Sequence, residues 1–208
     1  MIDIKLPKVS ICIPVYNNVS TIKDTIDSLL LQTYQNIEII CVNDGSTDNS
    51  LEILQQYSDK ITIMSQKNHG LASALNLGIR KMKGHWFKWF SPDDVMYPHT
   101  IQTLVDVTKK YSDTILYSNW EIIDENGKKL REFQESNYDE LSNFDYNIRL
   151  LDGQLINVNT ALIPSSLLQK NYVRYFHFRL LFANFNKQSH CQKNVWQHQQ
   201  AVLLYLET

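Results

Sequence analysis

Cysteine, glycine motifs, net charge and long apolar runs are all scarce in this chain, and each scarcity excludes something. Only three cysteines occur in 208 residues: Cys12 and Cys41 lie inside apolar runs and Cys191 is far from both. No Cys-x-x-Cys pair and no even framework exists, which argues against a disulfide scaffold or a zinc ribbon and predicts unpaired thiols in a reducing compartment. No uninterrupted apolar run approaches the roughly 18 residues that a spanning helix needs. The start, Met1-Ile2-Asp3-Ile4-Lys5, lacks the apolar region of a signal peptide. A cytoplasmic setting is expected, with attachment at the inner face of a membrane left open. The formal net charge is −2, so composition points to no nucleic-acid partner. Gly-x-Gly-x-x-Gly is absent after the first apolar run, which argues against a dinucleotide site, and no Gly-x-x-x-x-Gly-Lys-Ser/Thr loop exists. That first run ends in Pro14-Val15-Tyr16-Asn17-Asn18, with no acid for a phospho-acceptor site.

What is present is an alternation of two periods. Val9 to Tyr16 is rich in β-formers, and Ser20 then reads as the cap of a helix carrying Ile22, Ile26, Leu29 and Leu30. Ile37 to Val42 is a second strand, followed by Asn43-Asp44-Gly45-Ser46 and a helix from Thr47 or Asp48 with Leu51, Ile53 and Leu54. Ile61 to Met64 is a third strand. A loop, Gln66-Lys67-Asn68-His69-Gly70, leads into a helix over 71–82. The fourth strand is Trp86 to Phe90, with a helix expected over 98–111. Four rounds of strand and helix predict an α/β fold: a mostly parallel central sheet with helices on both faces. Further on, 114–123 reads as a strand, Asp124-Glu125-Asn126-Gly127-Lys128 as a hairpin turn, 129–133 as the return, 139–151 as a short helix and 156–163 as another strand.

The organising stretch is His85 to Pro98. A dense aromatic run stops at Ser91-Pro92-Asp93-Asp94. Ligands of open α/β sheets bind where strands emerge, and paired acids there suit a hard divalent cation. The same residues also read as Ser91 capping a helix, Pro92 opening it and two acids in its first turn. The loops after all four strands open on one edge, so Tyr16-Asn17, Asn43-Asp44, Asn68-His69-Gly70 and Asp93-Asp94 should converge there.

These loops resemble glycosyltransferase family 2, the inverting transferases of GT-A fold that use nucleotide sugars. The resemblance rests on Val9 to Asn17, on Val42-Asn43-Asp44-Gly45-Ser46-Thr47-Asp48, on Asn68-His69-Gly70 with Ala74, Asn76 and Gly78, and on Ser91-Pro92-Asp93-Asp94. It covers most of the first 165 residues. It implies that Pro14, Tyr16 and Asn17 floor the base and ribose, with Asn43 bonding ribose or base. Asp44 would accept from a uracil ring N–H, and Lys67, Asn68 and Gly70 would lie near the base and diphosphate. Asn76 and Gly78 would pack the following helix on the site. Asp93 and Asp94 would hold Mn²⁺ or Mg²⁺, with Asp93 also counted in the nucleotide site. Ser91 departs from the family, standing where its metal motif usually has a first Asp; Asn43 likewise replaces a common acid. The implied donor is a UDP-sugar, with GDP and dTDP sugars open. The acceptor is a hydroxyl of a glycan, a lipid-linked or another molecule, as in polysaccharide biosynthesis. A non-catalytic or truncated nucleotide-sugar binder is the alternative. A nucleotidyltransferase fits worse, because the first loop has neither glycines nor basic residues.

The expected domain runs over 1–170, and 171–208 reads as a divergent tail. The family's catalytic base is an acid well after the metal motif. From Gly153 onward the only acid is Glu207. The base is therefore unidentified, His177 and His190 being stand-ins by chemistry alone. A truncated or frame-shifted end, loosely packed and poor in turnover, is expected.

Overall fold

A computed structural model describes residues 6–111, 115–124, 126–133, 158–170, 193–196 and 201–204. Its first sheet is built from β1 (Val9–Val15), β2 (Ile37–Asn43), β3 (Thr62–Ser65), β4 (Trp86–Trp89) and a short β9 (Ile163–Pro164), in the order β3-β2-β1-β4-β9. The first four strands are parallel, and β9 is antiparallel to β4. All seven residues of β1 are buried, as a central parallel strand covered on both faces must be.

Alternation along β1 divides the core. Ile11, Ile13 and Val15 pack with Ile22, Ile26 and Leu29 of α1 (Ile22–Leu30), Leu54 of α2 (Ser50–Gln55), and Ile101, Leu104 and Val105 of α4 (Thr100–Thr108). Cys12 on the other face joins Ile40, Val42, Phe87 and Trp89. That layer is closed by Ala74 and Leu75 of α3 (Leu71–Lys81) and by Leu167 and Leu168 of α5 (Ser165–Lys170). Ile22, Ile26 and Leu29 are fully buried, each worth roughly 1.5–3 kcal/mol, and together they fix α1 on the sheet. Gly78 sets the approach of α3. A Cβ there would lie 2.2 Å from Cys12 Sγ and 3.7 Å from Val42.

The helices α1 and α2 cover one face and α3 the other, because the chain crosses back from β3 over the sheet to reach β4. The strand order therefore reverses between β1 and β4. A crevice opens at such a switch point, outside the carboxyl ends of the strands.

Several expected boundaries move. Ser20 is not the helix cap: Thr21 holds the N-cap position of α1 and makes no capping bond, its hydroxyl being spent elsewhere. No helix begins at Ser91 or Pro92. After a turn the chain runs into β5 (Val95–Met96), and α4 starts only at Thr100. The cap reading fails because the Ser91 hydroxyl bonds the Asn159 side chain instead of a helical N–H. The strand expected over 114–123 breaks at Asn119 into β6 (Ile115–Ser118) and β7 (Trp120–Ile123). β7 pairs with β8 (Lys129–Phe133) through the expected turn, where Gly127 has φ +79° and Asp124 Oδ1 accepts from the N–H groups of Asn126 and Lys128. Residues 158–160 form a 3-10 turn rather than a strand. In the tail, β10 (Lys193–Trp196) lies between β5 and β7, and β11 (Ala201–Leu204) pairs with β6. The helix expected over 139–151 lies outside the described residues, as does most of the tail.

Candidate functional site

The loop after β1 is tied to the loop after β2. Asn17 takes φ +56°, a conformation Asn tolerates better than most residues. Its N–H donates to Ser46 Oγ at 3.2 Å, and its Oδ1 accepts from the Thr47 N–H at 2.8 Å. Asn18 N–H donates to Ser50 Oγ at 2.8 Å. Tyr16 is left 47% exposed beside this knot, and an exposed aromatic can stack on a base.

The second loop is closed by its own side chains. Asn43 is buried, and its Oδ1 accepts from the Ser46 N–H at 3.0 Å. Gly45 has φ +74°, and a Cβ there would meet the Asn68 backbone nitrogen at 2.7 Å, so the loops after β2 and β3 touch through a residue that must be glycine. Asp44 is 4% exposed and organises the third loop. Its Oδ1 accepts from Gln66 Nε2 at 2.6 Å and the His69 N–H at 3.0 Å, and its Oδ2 accepts from the Gly70 N–H at 2.8 Å. Lys67, Asn68 and Gly70 are exposed on this loop, and Gly70, at φ +84°, occupies the N-cap position of α3. Pro14 is buried in β1, beyond Cys12, the last residue of β1 that pairs with β4.

The two acids after β4 have different surroundings. Asp93 is exposed as a residue, yet the protein around its carboxyl removes enough water to raise it above the ordinary carboxylate range. Asp94 is 1% exposed, and its Oδ2 accepts from Asn159 Nδ2 at 2.6 Å. Asn159 Nδ2 also lies 2.9 Å from Ser91 Oγ, so one buried amide grips both sides of the Pro92-Asp93 pair. Lys88 is 1% exposed and donates to the Asn159 carbonyl at 2.6 Å. Burial pushes this lysine down to about 7, and the Asp94 charge opposes that shift.

Of the expected pair, Asp93 is the exposed residue, its carboxyl partly shielded; Asp94 is turned into the protein. Ser91, bonded to Asn159, is equally committed. Among the described residues no cluster of three or more His, Cys, Asp or Glu side chains could hold a metal by itself. The donor set fits a hard cation that brings other oxygen ligands with it, as Mg²⁺ and Mn²⁺ do with diphosphate and water. His177 and His190 lie outside the described residues.

Lys88, Asn159 and Glu121 were not signalled by sequence pattern. Glu121 in β7 is buried; its Oε2 accepts from the Tyr97 hydroxyl at 3.2 Å and its Oε1 is 2.7 Å from Lys129 Nζ. This group joins the segment after the acids to the β7–β8 hairpin. A lysine or glutamate inside an apolar run is the sequence signal that could have marked Lys88 and Glu121. Among the described residues no helix is long and apolar enough to cross a membrane.

A parallel sheet with helices on both faces, four polar loops at its switch point and an exposed acid there define a nucleotide-diphospho-sugar transferase fold. The chain belongs to glycosyl transferase family 2, whose family model matches residues 10–188. An uncharacterized glycosyltransferase of Rickettsia prowazekii is 43% identical over 170 residues, covering 81% of this chain and 54% of the relative. A crystal structure of S. aureus TarS 1-349 in complex with UDP-GlcNAc superposes with a TM-score of 0.60 at 20% identity, over 79% of this chain and 47% of that one. A mannosyltransferase from Pyrobaculum calidifontis, in complex with GDP-Man and Mn²⁺, superposes with a TM-score of 0.53 at 18% identity, over 80% and 47%. The chain thus spans about half the length of these relatives.

Proposed function

We propose that this chain binds a nucleotide-diphosphate sugar, a UDP-sugar fitting best, for transfer of the sugar to an acceptor hydroxyl. The observation that carries this is the convergence at the switch point. Exposed Tyr16, the Asp44-held loop over 66–70 and exposed Asp93 all stand on one sheet edge. Tyr16 stacks on the base above Pro14 and Asn17, while Asn43 shapes the loop beneath. Asp44 presents the Lys67-Asn68-Gly70 loop and is the acid nearest in kind to a reader of a uracil N–H. Asp93 anchors Mn²⁺ or Mg²⁺ together with the diphosphate, and Asp94 positions it. A bound cation supplies neutralisation of the charge that develops on the leaving diphosphate. The TarS complex with UDP-GlcNAc supports the nucleotide, and the GDP-Man complex with Mn²⁺ supports the cation. The acceptor is proposed to be a glycan or lipid-linked hydroxyl at the inner membrane face. Calorimetric titration of UDP and GDP, each with and without Mn²⁺, tests the reading. UDP binding that Mn²⁺ tightens is expected; no binding of either nucleotide overturns it.

One observation favours a second reading of turnover. From Gly153 onward Glu207 is the sole acid, and Glu121 is already paired with Lys129. We propose that these 208 residues by themselves hold donor but transfer sugar slowly, because none of their later acids is placed as a base. Robust sugar transfer by this chain would refute that.

A further inference from the structure

We propose that a polar stripe on α1 is the positioning element for Asp93, and that α1 thereby sets the spacing between the base floor and the cation acid. The inference rests on the donor-site reading above. Thr21 at the N-cap, Thr25 and Ser28 within α1 and Gln32 just past its end recur at spacings of four, three and four residues and continue one side of the helix.

Each of them bonds the segment that carries Asp93. Thr21 Oγ1 donates to the Pro92 carbonyl at 2.9 Å, and Thr25 Oγ1 donates to the Asp94 carbonyl at 2.8 Å. Ser28 Oγ accepts from the Met96 N–H at 3.1 Å. Gln32 Nε2 donates to the Tyr97 carbonyl at 2.8 Å, and its Oε1 accepts from the Ile101 N–H at 3.2 Å. Thr33 N–H continues the series to the Pro98 carbonyl at 2.8 Å. The two hydroxyl bonds land on the carbonyls immediately before and after Asp93.

Thr25 and Gln32 are buried, so each carries a desolvation cost, and the shortest bonds that offset it run to this segment rather than to the Thr21 and Ser28 carbonyls. Every contact is to backbone. The stripe therefore fixes where the segment runs without depending on its side chains. The same helix starts directly after the base floor: the Asn18 carbonyl accepts from the N–H groups of Thr21 and Ile22 at 3.1 and 3.0 Å. One helix, locked on the sheet by Ile22, Ile26 and Leu29, thus holds Tyr16-Asn17-Asn18 at its start and Asp93 along its side. If Asp93 holds a cation for the diphosphate, it must itself be held firmly relative to the base floor.

The test is calorimetric titration of UDP, with and without Mn²⁺, on Thr21→Val, Thr25→Val, Thr25→Ser and Asp93→Ala, with melting temperatures alongside. Both valine variants should lose roughly five- to tenfold of the Mn²⁺-dependent gain in affinity, the scale of one lost neutral hydrogen bond. Their metal-free UDP affinity should stay within about twofold of wild type, since the Asn18 carbonyl keeps its backbone bonds from Thr21 and Ile22 and loses at most a long hydroxyl contact. Thr25→Ser, which restores the hydroxyl, should recover the gain. Valine variants with a wild-type Mn²⁺ gain, or with equal losses in both arms, overturn the proposal. If Thr25→Val does not fold, Thr21→Val at the half-buried end decides alone. Wild-type UDP binding that Mn²⁺ does not tighten would overturn the cation reading and this inference together. A gain that Asp93→Ala abolishes and the valine variants keep would overturn this inference alone.

Discussion

Asp93 and Asp94 are neighbours in sequence with opposite situations, and the residue scale is where that matters. Asp93 has a carboxyl raised by desolvation, so its folded-state value lies above its unfolded one. Such a group binds more protons in the native state, and stability falls as pH rises through the window between the two values. At neutral pH the charged carboxyl is a net cost to the metal-free protein. Asp93→Asn is therefore expected to raise the melting temperature measured without metal while abolishing the Mn²⁺-dependent gain in UDP affinity. Unchanged Mn²⁺ dependence would show that the cation is held elsewhere. Protons compete with the cation, so the gain should fade on acidification beginning above the usual aspartate range of about 3.9. Asp44 is bonded to the loop it organises. Asp44→Asn puts an amide donor against N–H groups of the loop and should cost about 1–3 kcal/mol in urea unfolding. Comparing UDP with a nucleotide that lacks the ring N–H then separates its roles. A larger loss for UDP identifies base reading, and equal losses identify loop organisation alone. Asp44 could be singled out in the sequence. Its donors could not, because Gln66, His69 and Gly70 are 22 to 26 residues away.

At the scale of elements, the apolar periods were legible and the polar ones were not. The strands and the helices of the first ninety residues announce themselves because burial on a sheet demands period two or period 3.6. The stripe Thr21, Thr25, Ser28, Gln32 has the helical period too, but hydrophilic periodicity normally means a solvated face, and here it faces a carbonyl-lined segment. Ser91 misled for a related reason: a serine before Pro-Asp-Asp satisfies every local rule for a helix start, and only Asn159, 68 residues on, diverts its hydroxyl. The break at Asn119 was hidden because both halves of 114–123 are β-rich. Gly78 belongs to this scale as well. Gly78→Ala would place a methyl 2.2 Å from Cys12 Sγ. Overpacking of about 1–3 kcal/mol should exceed the roughly 1 kcal/mol gained in helix propensity, leaving a net loss in chemical denaturation. Cys12→Ala in the same chain should recover part of it, with a coupling of at least about 0.5 kcal/mol in a double-mutant cycle. Additive losses would mean that α3 moves away as a body.

For the molecule as a whole, the two-faced core makes a prediction about its thiols. Cys12 and Cys41 sit on adjacent strands but in different clusters, Cys12 in the layer under α3 and Cys41 in the layer under α1. Burial pushes Cys12 up to about 12 and raises Cys41 as well. Neither should react with a thiol reagent until the protein is unfolded, and mass spectrometry of native-state labelling checks this. Modification of either in the native protein would show that the sheet opens. Family and fold were legible at this scale from four loops in order, because each loop is short and the first three bond to one another. The catalytic base was not, since no acid marks its place. Lys88 carries a further consequence. When protonated, it is a positive charge in the dry interior within reach of the Asp94 charge, where screening by salt is weak. Seen from an approaching diphosphate, Asp94 and Lys88 then form an inward-facing dipole that nearly vanishes at a distance. The ligand meets the field of a single carboxylate, small enough for one divalent ion to reverse.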